Sequence, residues 1–393
     1  VYNERFVTLR KAFARFNFDS ATFRAFVKSG VAEDYALFMT AKRVYGENFL
    51  YWDDSLKYRD PDALEKLRTD FHEEYLYWNF LQYTFRKQWN ALKSYCNSLG
   101  IRIVGDMPLY VAADSADVWA HPELFKLDRE LRPTKVAGVP PDYFSETGQL
   151  WGNPIYDWEA HEKENYAWWT KRLEDALVTY DIVRIDHFRG IDRYYEIPAF
   201  AETAVKGEWQ KGPGEKLFSN IKAEGRIIAE DLGIIDEGVT ALRDKLGFPG
   251  MKVLLFAFDG NENNDFLPKN IGENSVCYTG THDNDTVAGY VGTLATEEFL
   301  LFRSRVAQVL QEEGIYVRLG EKPQEFSQAF CRLALASKAR LAVLPMQDIL
   351  GLGNEARMNY PGMSEGNWQF RMQKLPSGSA MRKLRHWIKT NRR

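Results

Sequence analysis

Six short apolar runs, beginning near residues 101, 182, 226, 252, 275 and 341, are each followed by a helical pattern, and no hairpin turn joins one to the next. Antiparallel neighbours can be linked by two residues, whereas parallel neighbours need a crossover. The alternation therefore predicts a parallel sheet with right-handed crossovers, either doubly wound or closed into a barrel. The polar residues favour the barrel, because they recur at the C-terminal ends of strands spread over the whole series, as they would around one mouth.

The richest of these strand ends is DIVRIDHFRG, residues 181–190. Ile182, Val183 and Ile185 read as a strand buried on both faces, and Arg184, Asp186, His187 and Arg189 follow as a burst of ionisable groups. Asp186 lies two residues beyond Arg184 and shares its face, so a fixed cation favours the ionised carboxylate. Taken alone, the same residues also read as a structural Arg–Asp pair ending a strand.

Residues 1–61 read as helices broken at Gly30 and Gly46. Residues 62–99 form one helical pattern dense in aromatics (Phe71, Tyr75, Trp78, Phe80, Phe85, Trp89), longer than an ordinary helix, which predicts either a kink or a packing role against another subdomain, and its stripe suits a core. The expected organisation is a helical subdomain over 1–100 and a βα region over 101–393. The first strand of that region delivers Asp106, and an insertion at 111–180 separates it from the next. Within the insertion, PPDYFSETGQLWGNP (140–154) is rich in Pro and Gly. It predicts an irregular lid or flap, or else a packed Ω-loop, and no regular element. The tail over 381–393 reads as a basic terminal helix.

Composition narrows the function. With 27% charged residues and a formal net charge of -4, nothing suggests capture of nucleic acid or of an anionic membrane. No apolar run approaches the roughly 18 residues of a membrane span. Aromatics are abundant, at 11 Trp, 20 Tyr and 25 Phe, and such amphipathic rings suit a sugar-binding cleft as well as a core. Cys96, Cys277 and Cys331 are widely spaced and in no metal-ligand pattern, so reduced thiols and a cytoplasmic location are expected. The chain begins at Val1, already inside a helical pattern with no N-cap ahead of it, and reads as lacking its natural beginning.

Three carboxylates recur at equivalent strand ends: Asp186 in VRIDHF, Glu230 in IIAEDLG and Asp283 in GTHDND. With Asp106, Arg184 and His282 they give one cavity several acids and few cations. Glycoside chemistry needs this inventory: one carboxylate as nucleophile or base, one protonated acid for the leaving oxygen, and further groups to steer hydroxyls. Glu230, beside the Asp231 carboxylate and after an apolar run, is expected to hold its proton longer than Asp186. No HExxH or multi-His spacing supports a catalytic metal. DGNENNDF (259–266) imitates an EF-hand opening, but Asn264 stands where Gly is required and Asn270 where the bidentate Glu belongs. GLGNEA (351–356) fits a dinucleotide fingerprint by letters only, since RMNYPG follows where a helix should start.

GDMPLYVAADSADVW, PPDYFSETGQLWGNPIYDW, VRIDHFRG, AEDLG, GTHDNDT and RMNYPG, in that order, closely resemble the 4-α-glucanotransferases called amylomaltases or disproportionating enzymes, from about Val1 to the tail. The resemblance implies a (β/α)8 TIM barrel with inserted subdomains, acting on maltooligosaccharides and other α-1,4-glucans, with glucose as an acceptor and without metal or cofactor. It implies Asp186 as nucleophile, Glu230 as general acid/base and Asp283 as transition-state stabiliser. Asp106, Arg184 and His282 would hold the reacting glucose. Asp142, Tyr143, Phe144 and Trp151 would belong to a covering flap, and Asn359 and Pro361 to the wall near the last strand. One departure stands out: the family's first two strands, with a substrate-contacting Tyr, have no counterpart here. The sequence is therefore expected to carry barrel strands 3–8, with unpaired edges near residues 104 and 344, and to be inactive or nearly so by itself. An α-amylase-type hydrolase and a non-catalytic glucan-binding fragment are the alternatives.

Overall fold

The structure, a computed structural model, describes every residue except Val1, Glu47, Asp142, Tyr143, Phe144, Glu224, Ile234, Ile235, Arg318, Gly362, Ser364, Arg392 and Arg393. Two compact units divide the chain, one formed by residues 1–227 and 236–242, the other by 228–235 and 243–393.

The first unit opens with helices Tyr2–Phe13, Ala21–Lys28, Glu33–Tyr45, Pro61–Asp70 and His72–Ser98. Asp60 starts the fourth of these by accepting from the backbone N–H groups of Asp62 and Ala63, with Pro61 at the first helical position, where its missing N–H is harmless. The long pattern breaks at Phe71, whose φ of -117° and ψ of 37° are not helical. Beyond the break, Tyr75, Tyr77, Trp78 and Phe80 are buried. Phe80 meets Phe16 at 4.8 Å between ring centroids and Tyr77 meets Phe13 at 5.3 Å, so the first half of the aromatic stripe is core. Phe85, farther along, is exposed.

Strand β1 (Val104–Met107) is followed by β2 (Lys135–Val139), β3 (Gln149–Pro154), β4 (Ile182–Ile185), β5 (Arg193–Pro198), β6 (Glu208–Lys211) and β7 (Ile227–Ala229), within which the chain passes into the second unit. β1 and β4 pair in parallel, with Asp106 opposite Arg184. The Val183 N–H donates to the Arg226 carbonyl at 2.8 Å, which brings the approach to β7 alongside β4.

A second sheet, of order β3–β2–β5–β6, is antiparallel throughout. Its presence corrects the expectation of irregular structure over 140–154, because Gln149–Pro154 is a strand. The Gly148 N–H donates to the Ser145 carbonyl at 3.1 Å, turning the chain back onto β2. Gly148, at φ +67°, supplies the left-handed backbone that such a turn needs. A Cβ on Gly138 would stand 2.1 Å from the Gln149 carbonyl oxygen, so close approach of β2 and β3 requires glycine there. The glycines that suggested an irregular loop are thus the residues that permit pairing.

In the second unit β8 (Gly250–Val253), β9 (Ser275–Tyr278) and β10 (Leu341–Val343) form a parallel sheet of order β10–β9–β8. The apolar run 251–258 leaves the strand after Val253 and closes as a 3-10 turn, Leu254–Phe256. Helices Thr296–Glu312 and Pro323–Ala336 contribute Phe302, Val306, Phe326, Phe330 and Leu333 to a core shared with Leu254, Phe258, Cys277 and Val287. No helix among the described residues is long and apolar enough to cross a membrane.

Candidate active site

The first unit assembles one group of the expected residues. Parallel register sets Asp106 beside Arg184, and the two-residue repeat of a strand returns Asp186 to the same face. One Arg184 Nη1 lies 2.7 Å from both Asp106 carboxylate oxygens, and Nη2 lies 3.0 Å from Asp186 Oδ1. The Arg184 side chain is 10% exposed while each carboxylate is 46% exposed, so a buried fork holds two acids at an open surface. A planar guanidinium can bridge them in this way because its donors diverge in fixed directions.

His187 follows at φ +51°, and its ring stands edge-on to Trp151 with centroids 4.8 Å apart. Burial and the nearby Arg189 cation push the imidazole down to about 4, leaving it neutral at ordinary pH. Gly190 is required here, since a Cβ would meet Leu109 Cδ2 at 2.4 Å and the His187 ring at 3.1 Å. Trp151 therefore belongs to β3 and touches the loop that carries Asp186. Asp142, Tyr143 and Phe144, expected in the flap, lie outside the described residues.

Sequence reasoning singled out neither Arg172 nor Tyr156, which brace the loop after β1. Arg172 donates to the carbonyls of Pro108 (2.7 Å) and Leu109 (2.9 Å), and the Tyr156 hydroxyl donates to Leu109 at 2.8 Å. Their signal was present in the sequence only as isolated polar atoms among aromatics.

The second unit carries the other group. Glu230 follows β7, half-buried, and its Oε1 accepts from the Leu232 N–H at 2.9 Å. The neighbouring Asp231 has partners of its own. The Asp231 carboxylate is buried, accepts from the Met251 N–H at 2.7 Å and pairs with Arg243 Nη1 at 2.5 Å. A guanidinium thus stands directly against the Asp231 charge.

His282 and Asp283 sit on the loop after β9. Thr281 N–H and Oγ1 both donate to Asn284 Oδ1 at 2.9 Å, closing the turn. His282 Nε2 lies 3.3 Å from Asp283 Oδ2, and Asn359 Nδ2 donates to Asp283 Oδ1 at 2.6 Å. The Asn359 N–H donates to the His282 carbonyl at 3.1 Å. Arg357 fastens the same loop, donating to the Asp283 carbonyl at 2.6 Å and pairing with Asp285 at 2.5 Å. The RMN triplet at 357–359 is thereby bound to the HDND loop, a contact that spacing could not reveal. Pro361 is exposed beyond it.

Carboxylates half-open to solvent, each oriented by a fixed donor, and aromatic rings nearby are groups suited to acid/base and nucleophilic work on a polyhydroxylated substrate. The comparisons with known proteins agree with that chemistry. The model of the 4-alpha-glucanotransferase family matches residues 1–376. The chain is 51% identical to the 4-alpha-glucanotransferase of Thermus thermophilus over 346 residues, 86% of this chain and 68% of that protein. It is 43% identical to that of Clostridium butyricum over 381 residues, 94% of this chain and 76% of that protein. Amylomaltase from Streptococcus agalactiae, solved in complex with acarbose, shares the mixed α/β fold at a TM-score of 0.91 and 37% identity, covering 100% of this chain and 79% of its own. On sequence and fold together, the chain belongs to the 4-alpha-glucanotransferase family.

Proposed function

We propose that Asp186 is the nucleophile, Glu230 the general acid/base and Asp283 the transition-state stabiliser of a retaining double displacement. The overall reaction is that of the family, transfer of an α-1,4-glucan segment from a donor to an acceptor glucan or glucose. Asp186 attacks C1 of the donor glucose while Glu230 protonates the departing 4-oxygen, giving a glucosyl-enzyme. Glu230 then takes the proton of an acceptor 4-hydroxyl as that oxygen attacks C1 and releases Asp186.

The observation that supports this most is the Arg184 fork, with Nη1 at 2.7 Å from Asp106 and Nη2 at 3.0 Å from Asp186. It holds a carboxylate in position at an open strand end, which an attacking group needs. Asp106, Arg184 and His282 are proposed to set the reacting glucose, with Asn359 orienting Asp283 and Pro361 at the wall beyond. Asp142, Tyr143 and Phe144 are proposed, with Trp151, to keep water from the glucosyl-enzyme so that transfer outruns hydrolysis. The finer fold is proposed to be a (β/α)8 barrel in which β1, β4, β7, β8, β9 and β10 are six of the strands. A helical subdomain over 1–100 and an insertion over 111–180 would complete the described chain. Parallel pairing within each unit supports this.

Incubation of the full-length gene product with maltotriose tests the assignment. Free glucose and longer oligomers should accumulate while total reducing ends stay constant. Glu230→Gln should lower kcat by about 10²–10⁴-fold, the usual contribution of general acid/base catalysis, and Asp186→Asn by at least as much. A steady rise in reducing ends would mean hydrolysis, and wild-type rates in Asp186→Asn would remove the nucleophile assignment.

A further inference from the structure

The geometry points to Trp368 as a glucose-stacking residue beside His282 and Asp283, an assignment that rests on reading those two as substrate contacts. Trp368 is held at φ +61°, a left-handed conformation that a bulky side chain adopts at a cost. The backbone is pinned there: its N–H donates to the Met358 carbonyl at 2.7 Å, and Arg371 Nη1 donates to its carbonyl at 3.1 Å. The strain does not serve a core, because the indole is 53% exposed. Its ring centroid lies 5.1 Å from that of His282, with the planes inclined at 39°. His282 Nε2 in turn lies 3.3 Å from Asp283 Oδ2.

A strained backbone that presents an open indole next to a polar pair has the elements of a sugar subsite. The flat apolar ring receives the C–H face of a pyranose while neighbouring side chains take the hydroxyls. The ligand class is therefore the glucose unit of an α-1,4-glucan adjoining the reacting one, and Trp368 contributes binding rather than bond-making. Asn359 and Trp368 flank the same loop from one stretch of chain, since the Met358 carbonyl that pins Trp368 is one residue before Asn359.

Trp368→Ala, Trp368→Phe and Asp283→Asn, each checked for an unchanged thermal transition, separate the possibilities. Trp368→Ala should raise KM for maltotriose about tenfold with a much smaller fall in kcat, the mark of lost uniform binding, and Trp368→Phe should restore most of it. The fluorescence difference between wild type and Trp368→Phe should be quenched by maltoheptaose. Unchanged KM in Trp368→Ala together with an unquenched difference spectrum would overturn the inference, while loss of activity in Asp283→Asn would keep the site reading intact. Wild-type activity in Asp283→Asn would remove the site reading and this inference with it.

Discussion

Asp231 and Glu230 are neighbours in the chain whose carboxylates serve different ends. The apolar run before Glu230 and the like charge beside it invited a reading in which repulsion keeps one proton in place. The structure turns Asp231 inward to Arg243 and the Met251 N–H. Asp231→Asn should therefore cost about 2 kcal/mol, because Arg243 loses its buried carboxylate and keeps only the exposed Asp244. Urea unfolding would read that loss. The acid and alkaline limbs of the kcat/KM–pH profile should stay where they are in the wild type. A limb displaced by a full pH step in Asp231→Asn would show that the Asp231 charge does set the proton on Glu230.

The element that presents His282 and Asp283 is a loop tied at both ends by one side chain. Asp348, on the short helix Met346–Leu350, is 2% exposed. Its Oδ1 accepts from the Val287 N–H at 2.9 Å, and its Oδ2 accepts from the Thr279 hydroxyl, so both ends of 279–287 are anchored on a single carboxylate. Burial pushes this carboxyl up from its ordinary value, partly offset by the two donors. Asp348→Ala strands a buried hydroxyl and a buried N–H and should cost about 3 kcal/mol in chemical unfolding. At a temperature where the variant is still folded, kcat should fall about tenfold as the loop loosens. Asp348→Asn keeps an acceptor for Val287 and a donor for Thr279 and should recover most of both. Full activity in folded Asp348→Ala would show that the loop needs no such anchor. None of this was visible in LPMQDILGLG, where Asp348 reads as one more polar residue after a strand. What was legible was whatever repeats with a short period: the strand of Ile182, Val183 and Ile185, the helices of the first hundred residues, and the acids that end strands. The antiparallel sheet was not legible, because its pairing depends on Gly138 and Gly148, which look like loop residues until a partner strand lies against them. Contacts between distant segments, such as Arg357 with the Asp283 loop, leave no trace in local pattern at all.

At the scale of the whole molecule, two histidines make stability depend on pH in mild acid. His161 is fully buried, with the Trp158, Tyr156 and Trp168 ring centroids at 5.2, 5.3 and 5.8 Å, and burial pushes its imidazole down to about 4. His187 is pushed to about 4 as well. An unfolded chain binds these protons near the ordinary histidine value, so between that value and about 4 the unfolded state holds more protons than the folded one. The contribution is complete above roughly pH 6.5 and is lost progressively as pH falls towards 4, by up to roughly 3 kcal/mol for His161. Carboxylates held low act in a different window. Asp128, stabilised chiefly by the Arg132 backbone N–H, weakens the fold only as pH drops below its ordinary 3.8. Urea midpoints measured at pH 7, 6 and 5 separate the two, because only the histidine effect falls in that range. His161→Gln, which places a neutral group in the same cavity, should flatten the decline between pH 6.5 and 5 even if its midpoint at pH 7 is lower. A variant whose midpoint still falls with pH as steeply as the wild type would show that the acid sensitivity arises elsewhere.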